Sequence, residues 1–180
     1  MAERYTKADI AKLAGRSFVF DANVLIYIFW PSSPSKEREN YSSLIASLIK
    51  HKYPLYLDNM IISEFYNRCF RLEFETYQSG VLQRSRSQSE FKKFRNSALG
   101  KTTDEDISNI IINNLLKVYK VIGKSFDDAE IKKLFPFYPL DYTDRLLVEL
   151  CREENLILVT HDSDFRDSDI SILSQNPNLK

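Results

Sequence analysis

Four carboxylates stand where this chain could do chemistry with them. Asp21 closes the short apolar run Ser17-Phe18-Val19-Phe20 and opens a second one through Tyr27. An apolar run that delivers an acid at its end and passes directly into a helix reads as a buried parallel strand. Asp162 stands just past another such run, Leu156-Ile157-Leu158-Val159-Thr160, and Glu64 lies early in a helix that follows the strand-like Pro54-Leu55-Tyr56-Leu57-Asp58. Asp144 shares the spacing i, i+3, i+4, i+7 with Leu147, Val148 and Cys151, which puts it on the core-facing stripe of its helix. A carboxylate there is costly unless it is paired, protonated or bound to metal. In open α/β sheets, ligands bind at the C-terminal edge of the strands, and parallel neighbouring strands would bring these acids together at that edge.

Clustered carboxylates repel one another, and a divalent cation relieves that cost. Oxygen-only ligation suits magnesium or manganese, and neither histidine has the spacing of a zinc pair. A site of this kind binds a scissile phosphate, helps to deprotonate an attacking water and stabilises the departing oxygen. Asn23 and Thr160 are placed to orient water or a carboxylate, and His161 reads as a surface residue and not as a base.

Each acid also has a structural reading. Asp21 can cap the helix after its strand, Asp162 can cap a turn before Asp164, Asp144 can fill the third position of a capping box, and Glu64 can pair with Arg68 at i+4. Singly these readings suffice. Four acids at one sheet edge without matching buried cations strain them.

The elements that must position the acids follow in chain order. Thr6 with Asp9 resembles a capping box, opening a leading helix that Gly15 ends, so residues 1–16 form a leading helical segment before the main domain at 17–174. Ser35 is predicted to cap a helix carrying Tyr41, Leu44, Ile45 and Leu48, and a long helix starts near Asn59. Residues 78–102 read as a basic, mobile connection with a short helix. Asp104 is predicted to cap the next helix, Asp127 another, and Asp141 the helix of Asp144, with Asn155 as its left-handed C-cap. A small strand from Ile170 to Leu173 precedes a polar tail, 175–180, that is expected to fray. Helices alternating with short buried strands predict an α/β protein with a parallel sheet covered on both faces.

The 180 residues fit one domain, and the 43% hydrophobic and 28% charged shares are those of an ordinary globular protein. The chain has no run long enough to span a membrane and no signal-peptide core at its start, so a cytoplasmic location is expected. Cys69 and Cys151 lie far apart without CxxC spacing and read as buried free thiols. The formal net charge of zero is unevenly spread. From Arg68 to Lys101 eight basic residues stand against three acids, and from Asp127 to Asp169 twelve acids stand against five Lys or Arg. That pattern suits a grip for a polyanion beside a cation site, or simply two solvated faces.

Phe20-Asp21-Ala22-Asn23-Val24-Leu25-Ile26-Tyr27, Ile62-Ser63-Glu64, Asp144-Arg145-Leu146-Leu147-Val148 and Leu158-Val159-Thr160-His161-Asp162-Ser163-Asp164-Phe165 resemble the PIN domain family. Many prokaryotic members are VapC-like ribonuclease toxins of VapBC toxin–antitoxin systems. The resemblance covers roughly Ser17 to Leu173. It implies a three-layer α/β/α fold around a parallel sheet of about four to five short strands. It also implies a metal-dependent endoribonuclease whose acids are Asp21, Glu64, Asp144 and Asp162, with Asp164 as a helper or outer-shell metal ligand and Mg2+ or Mn2+ as cofactor. An RNA substrate, a homodimer and an antitoxin peptide in the acidic groove belong to the same expectation, and a membrane partner does not.

The chain departs from the compact toxin pattern in its leading helix and in the longer interval between Glu64 and Asp144. In that interval Arg84, Arg86, Lys92, Lys93 and Arg95 are candidates for phosphate contacts. Phe91 and Phe94 between them suit either base stacking or core packing. A haloacid-dehalogenase-type phosphatase would need a second acid where Asn23 stands, and a receiver domain would need an acidic pair at the first strand. The rival of another class is a PIN-like module that binds RNA or protein without cutting and holds a structural cation.

Overall fold

The computed structural model describes residues 2–80, 88–135 and 139–179. The strands are β1 (Arg4–Tyr5), β2 (Ser17–Phe20), β3 (Leu55–Asp58), β4 (Lys120–Ile122), β5 (Leu156–Val159) and β6 (Ile172–Leu173). They form one sheet in the order β1-β6-β5-β2-β3-β4, with every pair parallel. The helices that flank it are α1 (Ala22–Phe29), α2 (Ser35–Lys50), α3 (Asn59–Gly80), α4 (Gln88–Arg95), α5 (Ala98–Ile110), α6 (Leu116–Val118), α7 (Asp128–Lys133) and α8 (Tyr142–Glu153). The fold class is therefore the one expected, an α/β protein on an all-parallel sheet.

From β2 the chain moves to β3 and β4 on one side, then returns to lay β5 and β6 on the other. The direction of winding reverses between β2 and β5, and the crevice beyond their C-terminal ends is the place where such sheets bind ligands. Register fixes what stands there. Ser17 pairs with Leu156 and Phe20 with Val159, so Asp21 and Thr160 are the next residues on each strand. The Asp21 amide continues the ladder by donating to the Val159 carbonyl at 3.0 Å. Phe18, Val19, Phe20, Ile157, Leu158 and Val159 are inaccessible to solvent, and burial on both faces is what makes these strands continuous apolar runs.

The sheet has six strands where four to five were expected. β1 and β4 are the edge strands, and neither carries a strand pattern: Arg4 and Tyr5 are half-buried, and Val121 of β4 is exposed. Ahead of β4, a π-helical turn at Ile111–Leu115 interrupts the helix before it closes at Val118. The leading segment is a 3-10 helix, Lys7–Lys12, with the Thr6–Asp9 capping box formed.

Two expected caps are placed differently. Ser35 is the first helical residue and Pro34 occupies the cap position of α2. Asp104 lies inside α5, where it accepts a hydrogen bond from the Tyr66 hydroxyl, and Ser97 is the cap, its Oγ accepting from the Gly100 amide at 3.1 Å. Residues 175–179 of the tail are packed and not frayed. Pro177–Leu179 forms a 3-10 turn, Leu179 is buried, and buried Asn176 donates from Nδ2 to the His161 carbonyl at 2.6 Å. Asp127 and Asp141 cap α7 and α8 as read, and Asn155 takes the left-handed conformation at φ 51°.

Within the basic interval, Phe94 is buried and Phe91 packs against the core, both meeting Phe70 and Phe74 edge-on or tilted at 5.2–5.9 Å. Phe94 is therefore core and Phe91 is partly buried against it, the packing role of the two alternatives. Lys92, Lys93 and Arg95 are exposed, with Lys93 paired to Glu90 at 2.8 Å. Arg84 and Arg86 lie outside the described residues. Cys69 and Cys151 are buried and free. No helix among the described residues is long and apolar enough to cross a membrane.

Candidate active site

Asp21 is the central carboxylate. It sits at the C-terminal end of β2, is only 5% exposed, and its backbone is extended so that its side chain caps α1 by accepting from the Asn23 amide. Its Oδ2 accepts a 2.6 Å hydrogen bond from Thr160 Oγ1 and a 2.7 Å bond from Asn23 Nδ2. Thr160 Oγ1 in turn accepts from the Asp162 amide at 2.9 Å, and Asn23 Oδ1 accepts from the His161 amide at 3.2 Å. The two residues read from sequence as supports thus tie the end of β2 to the turn after β5. Burial pushes the Asp21 carboxyl up to about 6, against the pull of the Thr160 hydrogen bond, and the charges of Glu64 and Asp162 push it the same way.

Asp144 is at the third position of α8, whose cap Asp141 accepts from the Asp144 amide at 3.0 Å. Leu147, Val148 and Cys151 on the same stripe are buried, and Asp144 stands half-buried where that stripe reaches the sheet edge. Its carboxylate accepts no hydrogen bond among the described residues. Burial first, then the charges of Asp141, Asp21, Asp162 and Glu64, raise it to about 8. This mutual influence shows that the acids of β2, α3, α8 and the turn after β5 occupy one electrostatic neighbourhood.

Asp162 caps the 3-10 turn Ser163–Asp167 by accepting from the Asp164 amide at 3.0 Å. Asp164 itself is exposed. Glu64, on the first turns of α3, is 3.3 Å from Arg68 Nη1. The structural roles weighed for these acids are real, and they do not consume them. A half-exposed i, i+4 pair such as Glu64–Arg68 contributes only about 0.3–0.5 kcal/mol, too little to fix the glutamate against a stronger partner.

His161 departs from its expected place at the surface. It is half-buried beside Tyr27 and Tyr41, with Nδ1 2.9 Å from the Tyr41 hydroxyl, and burial lowers its pKa. It buttresses the turn that carries Asp162. Sequence spacing did not reveal two further features. Asp141, beyond its capping role, supplies the largest charge acting on Asp144. A cleft of about 810 Å³ opens between α3 and the start of α8, walled by Ser63, Glu64, Asn67, Arg68, Arg71 and Asp141 among others.

The donor set, oxygen atoms only, fits a hard divalent cation. Among the described residues, no three acid, histidine or cysteine side chains are drawn closely enough together to ligate one ion as they stand.

An all-parallel sheet with helices on its faces and a switch point between β2 and β5 defines the open α/β class, in which ligands bind beyond the C-terminal strand ends. The particular family follows from the sequence: the PIN domain model matches residues 18–170. The chain therefore belongs to the PIN domain family, whose members are in general nucleases. No curated protein matches the chain.

Proposed function

We propose that the protein is a divalent-cation-dependent endoribonuclease, hydrolysing phosphodiester bonds at the site formed by Asp21, Glu64, Asp144 and Asp162. The observation that supports the reading is the Asp21 carboxylate, buried at the end of β2, held by Thr160 and Asn23, its pKa pushed up by burial and then by the charges of Glu64 and Asp162. Magnesium or manganese would be held by these carboxylates. The chemistry supplied by a bound cation is polarisation of the phosphate and acidification of a water molecule.

The chain's own residues do the rest. Thr160 and Asn23 hold the Asp21 carboxylate in one orientation, so that no ordering is left to the moment of reaction. Asp144, raised to about 8, carries a proton on its carboxyl at neutral pH when no cation is present, and gives it up when positive charge arrives. Arg68 and Arg71 on the cleft wall are placed to bind phosphates flanking the scissile one. Asp164, on the exposed turn, could reach the site only as an outer support.

The test is cleavage of an end-labelled structured RNA with manganese, with magnesium and with EDTA, beside an Asp21→Asn preparation. Metal-dependent cutting should fall at least ~100-fold in the variant, since the buried carboxylate is the centre of the donor set. Equal cutting by both preparations would assign the activity to a contaminant.

A second reading, a non-cutting RNA- or protein-binding module with a structural cation, draws on the open spacing of the acids. It requires that cation raise the melting temperature without any cutting. The narrower toxin reading adds a homodimer and an antitoxin peptide in the acidic cleft. Light scattering of the purified protein, and growth arrest on induction relieved by the product of a neighbouring reading frame, test those two features.

A further inference from the structure

Tyr27 carries a hydroxyl that neither the core nor the carboxylate site uses. Its ring is half-buried on α1, stacked on Tyr41 at 6.0 Å and 18° and edge-on to His161 at 5.4 Å. A phenylalanine would pack there equally well. The hydroxyl makes no hydrogen bond among the described residues, and it is not one of their buried polar atoms without a partner, so it opens to solvent. A tyrosine hydroxyl at the edge of a packed ring normally has a partner.

The surroundings of the hydroxyl show where it opens. Tyr27 is four residues after Asn23 and so on the same face of α1, and Asn23 ties Asp21 to the turn after β5. His161, which the ring packs against, is the neighbour of Asp162 in that turn. Burial raises the pKa of the phenol, the charges of Glu37, Asp162 and Asp21 add to the rise, and Arg68 opposes it. The phenol therefore keeps its proton at neutral pH and is a hydrogen-bond donor among these charges. Tyr41, wholly buried and bonded to the Thr160 carbonyl and to His161 Nδ1, fixes the ring from behind.

A phosphodiester brings negative charge to an edge already lined with carboxylates, so it needs donors. Asn23 Nδ2 and Thr160 Oγ1 donate to Asp21, and Arg68 is paired with Glu64. The Tyr27 hydroxyl is uncommitted. A donor held in place before the reaction, where charge will develop, lowers the barrier without any reordering at that moment.

We infer that Tyr27 is a further catalytic residue, whose hydroxyl donates to a non-bridging oxygen of the scissile phosphate as charge builds on that oxygen. The inference rests on the nuclease reading and deepens it, by assigning a donor to a site otherwise made of acids. The phenol keeps its proton throughout. Only the hydrogen bond strengthens as phosphorus gains the attacking oxygen.

The test is the kinetics of Tyr27→Phe beside the wild type and Asp21→Asn, in magnesium and in manganese. The substrate is a short RNA whose mapped cleavage position is either all-oxygen or one phosphorothioate diastereomer. Tyr27→Phe keeps the ring and its packing, so its melting temperature should not move. Its kcat should fall ~10- to 100-fold with KM within about 3-fold of the wild type, the mark of a bond made in the transition state. Sulfur is a poor hydrogen-bond acceptor. The wild type should therefore cut one diastereomer at least ~10-fold more slowly than the all-oxygen RNA in both metals, and Tyr27→Phe should cut these two substrates alike.

An unchanged kcat in Tyr27→Phe, or a loss confined to KM, would overturn the assignment. So would a slowed variant that still discriminates against the same diastereomer, because the effect would then lie in the packing of His161. The two readings fail separately. Cutting that depends on Asp21 and not on Tyr27 removes the donor alone, whereas a wild type that cuts no RNA in either metal removes the nuclease and the donor with it.

Discussion

At the scale of single residues, Thr160 shows how this site is held together. Its Oγ1 donates to Asp21 and accepts from the Asp162 amide, so one hydroxyl couples the acid of β2 to the acid after β5. Thr160→Val keeps the shape of a wholly buried side chain and removes both bonds. Cleavage should drop about 10- to 100-fold, as expected when the group that orients a ligand is lost. The Asp21 carboxyl should also titrate above its value of about 6, because the bond that pulls it down is gone. Carboxyl carbon NMR shifts followed against pH read this directly, and an unmoved titration would deny Thr160 its role. Thr160 and Asn23 were legible from sequence because they sit within two residues of strand-end acids. The charge that Asp141 places on Asp144 was not, since a helix cap explains that residue completely until the cleft is seen. The inward turn of His161 was equally hidden, because the tyrosines that bury it come from α1 and α2.

At the scale of elements, the central strands were legible and the edges were not. β2, β3 and β5 are buried on both faces and read as apolar runs, whereas β1 pairs over two residues only and β4 follows a stretch with helical spacing. The start of α5 was misplaced because Asp104 is a good cap by type, and the competition was decided by packing. Gly100 lies so close to the end of α4 that an added Cβ would stand 2.2 Å from the Phe94 carbonyl oxygen. That approach lets Ser97 cap the helix and seats Phe94 in the core. Gly100→Ala must push α4 and α5 apart and should cost about 1–3 kcal/mol, read as a lower midpoint in urea with an unchanged slope. On α3, Asn59, Ser63, Asn67 and Arg71 recur every fourth residue along the cleft wall, and Arg71 has no ion pair among the described residues. If RNA runs along that track, Arg71→Gln should weaken binding of all sequences alike. The slope of log affinity against log salt should become shallower by about one, and an unchanged slope would remove Arg71 from the track.

At the scale of the whole molecule, the acid cluster sets function against stability. The folded chain holds protons on Asp21 up to about 6 and on Asp144 up to about 8, whereas the unfolded chain releases them near 3.8. A carboxyl raised in the folded state favours folding fully below its unfolded value. That contribution is lost as pH rises through the folded value. Without divalent cations, stability should therefore decline from about pH 4 to pH 6 through Asp21 and on to about pH 8 through Asp144. A cation that binds the ionised carboxylates reverses the trend, and its stabilising effect should grow across the same window. Asp144→Asn isolates the effect, because this side chain accepts no hydrogen bond that the amide would break. In EDTA at pH 8 the variant should melt a few degrees above the wild type, where a chain of this size shifts by about 2–4 °C per kcal/mol. Near pH 4 the two should melt together, since the wild-type carboxyl is then protonated. Added magnesium or manganese should raise the wild type far more than the variant. A variant that gains nothing at pH 8 would mean that Asp144 is not held in a repelling cluster, and the case for a cation at this edge would fall with it.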